Sequence, residues 1–131
     1  MKRWIGRWFM VVAVLHTALA FVMFKAELAE LVQLGVYDSV VGAPARGKAA
    51  WFVLFGVLLF LFGSVVDALE RAKLKVPLSA VVGVLILAGL GVLLMPRSGF
   101  WLVLPPAIAV LLGRLRAPAP TGSPEGVKAA G

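Results

Sequence analysis

Four long stretches of this chain carry no Asp, Glu, Lys or Arg: Trp8 to Phe24, Ala49 to Val66, Val76 to Pro96 and Ser98 to Gly113. They hold 17, 18, 21 and 16 residues. A helix rises about 1.5 Å per residue and a bilayer's hydrocarbon core is about 30 Å thick, so a crossing takes about 20 apolar residues, with about 17 near the lower limit. The first three stretches reach that limit. The fourth lies between Arg97 and Arg114, whose stems can run along a helix and lift their charges to the headgroups. The spacing therefore predicts an all-α chain, a polytopic membrane four-helix bundle with spans at 8–24, 49–66, 76–96 and 98–113 in one domain over residues 1–116. The tail, 117–131, is rich in Pro, Gly, Ala and Ser and is expected to be disordered.

Composition agrees with this reading. Of 131 residues 62% are hydrophobic and 15% charged, against the roughly 45–50% apolar content of a soluble domain. A net charge of +7 would suggest nucleic acid in a soluble protein, but here it sorts by loop. Lys2, Arg3, Arg7, Arg71, Lys73, Lys75, Arg114 and Arg116 fall on one side, and Lys25, Arg46, Lys48 and Arg97 on the other. Basic residues concentrate in short cytoplasmic loops. Both termini are thus expected in the cytoplasm, with the lipid bilayer as partner and no nucleic acid. The first stretch is followed by Phe24-Lys25 without a small-x-small pattern, which argues for a retained helix rather than a cleaved signal.

Spans two and three are joined by a charged loop around Asp67 to Lys75, and spans three and four by a turn at Pro96 to Gly99. Between spans one and two, Leu28, Leu31 and Val32 recur at helical spacing while Glu27 and Glu30 fall elsewhere. That pattern predicts a short interfacial helix over Ala26 to Leu34, stopped by Gly35, with its acids toward water. Gly56 and Gly63 on the second span, and Ser79 and Gly83 on the third, allow close helix approach within one chain or in a homo-oligomer.

With no cysteine, thiol chemistry and Cys-ligated metals are ruled out. One histidine, His16, cannot close a zinc site that needs three or four ligands, and methionines such as Met10, Met23 and Met95 are more often gap-fillers than haem ligands. No cofactor is expected. Ser64 and Ser79 lie away from His16 in depth, and hydrolase elbows, phosphate loops and dinucleotide fingerprints are missing. An enzymatic role finds no support. His16 falls near the middle of the first span, where an ionisable side chain either carries function or makes one interhelical hydrogen bond.

Tyr37, Trp51, Phe52, Phe100 and Trp101 gather with Arg46, Lys48 and Arg97 at the outer boundary. They form an aromatic belt, or the mouth of a site in which Arg46 or Arg97 offers charge to a headgroup or anionic ligand. Proline lacks an N–H, so Pro105 and Pro106 free the carbonyls of Trp101 and Leu102. The sequence predicts a kink at Pro105, contact between the first and fourth spans, and His16 directed at those carbonyls.

Four short helices in a small basic chain look like the small multidrug-resistance transporters. Those carry a glutamate in the middle of the first helix, where this chain has His16. Leu15-His16-Thr17, Arg46 before Ala50-Trp51-Phe52, Gly56, Gly63, Pro77 and the run Met95-Pro96-Arg97-Ser98-Gly99-Phe100-Trp101 together resemble a family of short bacterial four-helix integral membrane proteins of unknown function. The likeness covers about residues 4 to 113. It implies a bacterial inner-membrane location, a four-helix bundle, and a common motif set of His16, Arg46, Trp51, Ser98 and Trp101. The expected function is binding of a small apolar or amphiphilic molecule, lipid or quinone-like, by His16, Arg46, Trp51, Arg97, Ser98, Trp101 and Leu102. The alternatives are a homodimeric transporter and a structural or assembly subunit of a membrane complex.

Overall fold

The computed structural model describes residues 4–97 and 99–115. Its elements, in chain order, are α1 (Ile5–Met23), α2 (Lys25–Gln33), α3 (Pro44–Arg71), α4 (Leu78–Leu94), a 3-10 turn (Gly99–Leu102) and α5 (Leu104–Leu115). The described residues contain no strand. By length and composition, α1 and α3 can each cross a membrane; α4 and the apolar segment Gly99–Gly113 are shorter.

The pairing of α1 with α3 follows from a heptad of small residues. Gly6, Ala13 and Ala20 on α1, and Ala49, Gly56 and Gly63 on α3, each fall seven apart and are all buried. The helices run antiparallel, with Ala20 in one cluster with Ala49 and Gly6 close to Gly63 at the other end. A Cβ on Gly63 would lie 2.9 Å from the Met10 nitrogen and 3.0 Å from the Gly6 carbonyl oxygen. Small side chains let the backbones approach this closely. Gly56 and Gly63 thus join helices of one chain. At Gly83, by contrast, a Cβ would meet no described atom within 4 Å, so the Ser79 and Gly83 pair packs against no described helix.

Helix α3 differs from its expected bounds. It begins at Pro44, whose missing N–H suits a first helical position, and runs on through the expected loop to Arg71, about 42 Å in all. The charges at 67–71 do not end the helix because they have partners. Asp67 is buried, with Arg71 Nη2 at 2.5 Å and Arg7 Nε at 3.8 Å. The Glu70 carboxylate accepts from the backbone N–H groups of Ile5 (3.4 Å) and Gly6 (3.0 Å). These are donors that the start of α1 leaves without an intrahelical acceptor, and Trp4 makes no side-chain cap. We expect Glu70→Ala to lower stability by about 1 kcal/mol and Glu70→Gln by less, measured as thermal unfolding of the purified protein. Equal melting of Glu70→Ala and wild type would show that the contact caps nothing.

The helix expected over Ala26 to Leu34 is α2, Lys25–Gln33. Gly35 follows it at φ +88°. The N–H groups of Gly35 and Val36 close onto the carbonyls of Val32 (3.2 Å) and Leu31 (3.0 Å), the left-handed termination for which glycine is suited. Leu31 is buried and Leu28 packs beside Phe24 and Ala49, while Val32 is exposed. Arg46, in the first turn of α3, donates to the Ser39 carbonyl (2.7 Å) and to Glu30 (3.3 Å), which holds the 34–43 connection against α3.

Helices α4 and α5 form a second hairpin, which meets the α1–α3 pair through large side chains. Phe9 and Phe62 stack edge to face at 5.3 Å, and with Val66 they pack against Val76, Val81 and Val110. The fourth stretch is not one helix. Pro105 and Pro106 stand in the first turn of α5, where no intrahelical donor is needed, so they start a helix instead of kinking one. The tail at 117–131 lies outside the described residues.

Candidate functional site

Between the two hairpins lies a cavity of about 560 Å³. Val12, Leu15, His16, Leu19 and Met23 of α1 form one wall and Phe52, Phe55 and Leu59 of α3 a second. Met95, Pro96, Arg97, Gly99, Phe100, Leu102 and Val103 form the third. The walls are apolar apart from His16 and Arg97. Leu15 and Met23 are nearly 60% exposed, so the cavity opens sideways along α1. Gly91 shapes the third wall, since a Cβ there would collide with the Phe100 ring.

His16 is held by α3. Its ring stacks on Phe52 with centroids 4.0 Å apart and planes 7° from parallel, and meets Phe55 edgewise at 5.4 Å. Nε2 lies 3.0 Å from the Phe52 carbonyl oxygen. A carbonyl can only accept, so Nε2 carries a hydrogen and donates it. The expected bond from His16 to Trp101 or Leu102 is therefore not made. The freed Leu102 carbonyl accepts instead from the Trp8 indole Nε1–H at 2.8 Å. Trp8 precedes His16 by eight residues, about 12 Å along the helix. The Leu102 carbonyl is thus met by a donor rooted nearer the N-terminal end of α1 than His16. Contact between α1 and α5 is present, with a different donor.

Of the other residues singled out in the sequence, Arg97 and Leu102 line the cavity with His16. Trp51 is 73% exposed and outside it. Trp101 also lies outside, its indole N–H bonded to the Pro96 carbonyl at 2.9 Å, which braces the turn that carries Arg97. Arg46 is engaged by Ser39 and Glu30. Ser98 lies outside the described residues. Phe52 and Phe55 hold the imidazole; the sequence points to Phe52 as belt or mouth and does not single out Phe55. A signal was present: the register that sets Gly6 against Gly63 and Ala20 against Ala49 brings His16 beside Phe52. No group of three metal-ligating side chains occurs among the described residues.

No curated protein and no solved structure matches the chain. The model of DUF6463, a family of unknown function, matches residues 1–117, and the chain belongs to that family.

Proposed function

We propose that this is a multi-pass protein of the bacterial inner membrane that holds one apolar or amphiphilic molecule in the His16 cavity. The cavity itself carries the reading. Its volume of about 560 Å³ falls within the roughly 300–1,000 Å³ of small-molecule sites, which are apolar with a few placed polar groups. His16 supplies that group at depth and Arg97 a cation at the mouth. The membrane assignment is supported by the apolar surface around the molecule, including Val22, Leu93 and Leu94, each about three-quarters exposed; such an area is unusual in a water-soluble monomer. In this reading α4 and the Gly99–Leu115 segment complete a four-span bundle with α1 and α3. The basic residues then place both termini in the cytoplasm. A reporter fused after Gly131 should be active only in its cytoplasmic form, and activity only on the far side of the membrane would reverse the topology.

The ligand is tested by native mass spectrometry of protein purified in mild detergent. Wild type should carry an additional apolar mass, and His16→Ala should lose it while remaining folded by circular dichroism. If His16→Ala retains the mass and only melts lower, His16 is a structural hydrogen bond and the ligand reading fails.

A further inference from the structure

The hydrogen bonding of His16 restricts which end group the cavity can take. Nε2–H is committed to the Phe52 carbonyl at 3.0 Å. The adjacent Cδ2 also faces α3, since a Cβ on Gly56 would lie 3.3 Å from it. The opposite edge of the ring, Nδ1 and Cε1, is thereby turned away from the α3 backbone. Nδ1 has no hydrogen-bond partner among the described residues, yet it is not sealed off as Asp67 Oδ1 is, which is buried without a hydrogen bond, and its ring lines the cavity. A neutral imidazole carries one hydrogen. With that hydrogen on Nε2, Nδ1 offers a lone pair.

We infer that the site selects hydrophobes headed by a hydroxyl donor (phenols, quinols or long-chain alcohols) whose O–H is accepted at His16 Nδ1, over carbonyl-headed ones such as quinones. The inference rests on the reading that the cavity holds an apolar molecule. A hydroxyl brought into an apolar cavity loses its water and costs free energy unless an acceptor replaces it. Nδ1 is that acceptor. A quinone oxygen would instead face a lone pair. On a neutral ring it could be accommodated only by moving the imidazole hydrogen to Nδ1, which would set the bare Nε2 against the Phe52 carbonyl, acceptor to acceptor.

The single histidine makes this directly observable. Protein labelled with nitrogen-15 histidine, in phospholipid nanodiscs, is titrated with para-decylphenol, its methyl ether and decylbenzoquinone, with empty nanodiscs correcting for partition. The phenol should shift the Nδ1 resonance, leave Nε2 protonated, and bind about tenfold more tightly than the ether. His16→Phe, which keeps an aromatic ring against Phe52, should bind phenol and ether alike; should that variant not fold, the wild-type spectra decide. Equal binding of phenol and ether with Nδ1 unmoved would overturn the inference while leaving the cavity reading in place. The same holds for a quinone that transfers the hydrogen to Nδ1, or for free protein already protonated on both nitrogens. Retention of none of the three probes overturns both.

Discussion

Gly63→Val is expected to separate α1 from α3. The first atoms a Cβ would meet there are the Met10 nitrogen and the Gly6 carbonyl oxygen, at 2.9 and 3.0 Å, and backbone cannot rotate away as a flexible side chain can. The helices must move apart along the whole small-residue seam, which also packs Ala13 and Ala20. Overpacking a tight contact costs about 1–3 kcal/mol and sometimes more; with backbone on both sides, about 3 kcal/mol is expected here. Two controls grade the effect. A Cβ on Gly56 would meet the Thr17 hydroxyl, which bonds the Ala13 carbonyl at 2.9 Å but can change rotamer, so Gly56→Ala should cost less. Gly83→Val faces open space and should stay within about 0.5 kcal/mol. Thermal unfolding of the three variants checks the order. Wild-type melting of Gly63→Val would show that the seam is not closely packed.

That seam shows what one sequence can and cannot disclose. The spacing of Gly56 and Gly63 was visible as a packing signal, but not its partner, because small residues serve contacts within and between chains equally well. The heptad of Gly6, Ala13 and Ala20 on α1 completes it, and once the two heptads are aligned the neighbour of His16 follows. The short helix before α3 was legible because apolar periodicity and a following glycine both report locally on the backbone. The end of α3 was not. Asp67, Glu70 and Arg71 resemble a loop by charge, and only the approach of Arg7 and the open N-terminal turn of α1, more than sixty residues earlier, makes them helical. Similarly, Pro105 and Pro106 signal a break, but a proline pair can kink a helix or begin one. The cavity formed because they begin one. With the 3-10 turn in place of a continuous helix, Gly99, Phe100, Leu102 and Val103 lie as a wall across from His16.

Trp8→Phe is expected to loosen that wall. A carbonyl at position 102 in a continuous helix would accept from the N–H of residue 106, but residue 106 is proline and has none. The Trp8 indole fills the gap at 2.8 Å and ties α1 to the segment that precedes α5. Phenylalanine keeps most of the apolar volume, and its edge contact with Trp4, now at 6.1 Å between centroids, can persist. What is lost is the donor. A buried carbonyl left unpaired costs about 1–3 kcal/mol, and this one is partly exposed, so Trp8→Phe should cost about 1 kcal/mol and melt lower than wild type. The amides of Leu104 and of residues 107–113 should exchange hydrogen faster, since this is where the hairpin is released. The consequence reaches the site without touching His16: Leu102 and Val103 line the cavity together with Val12, one turn of α1 beyond Trp8. If the cavity holds an apolar molecule, Trp8→Phe should retain less of it even though the imidazole and its Phe52 partner are unchanged. Wild-type melting, exchange and retention together would mean that water or another donor satisfies Leu102 as well as the indole does, and that the wall is fixed by apolar packing of α4 and α5 alone.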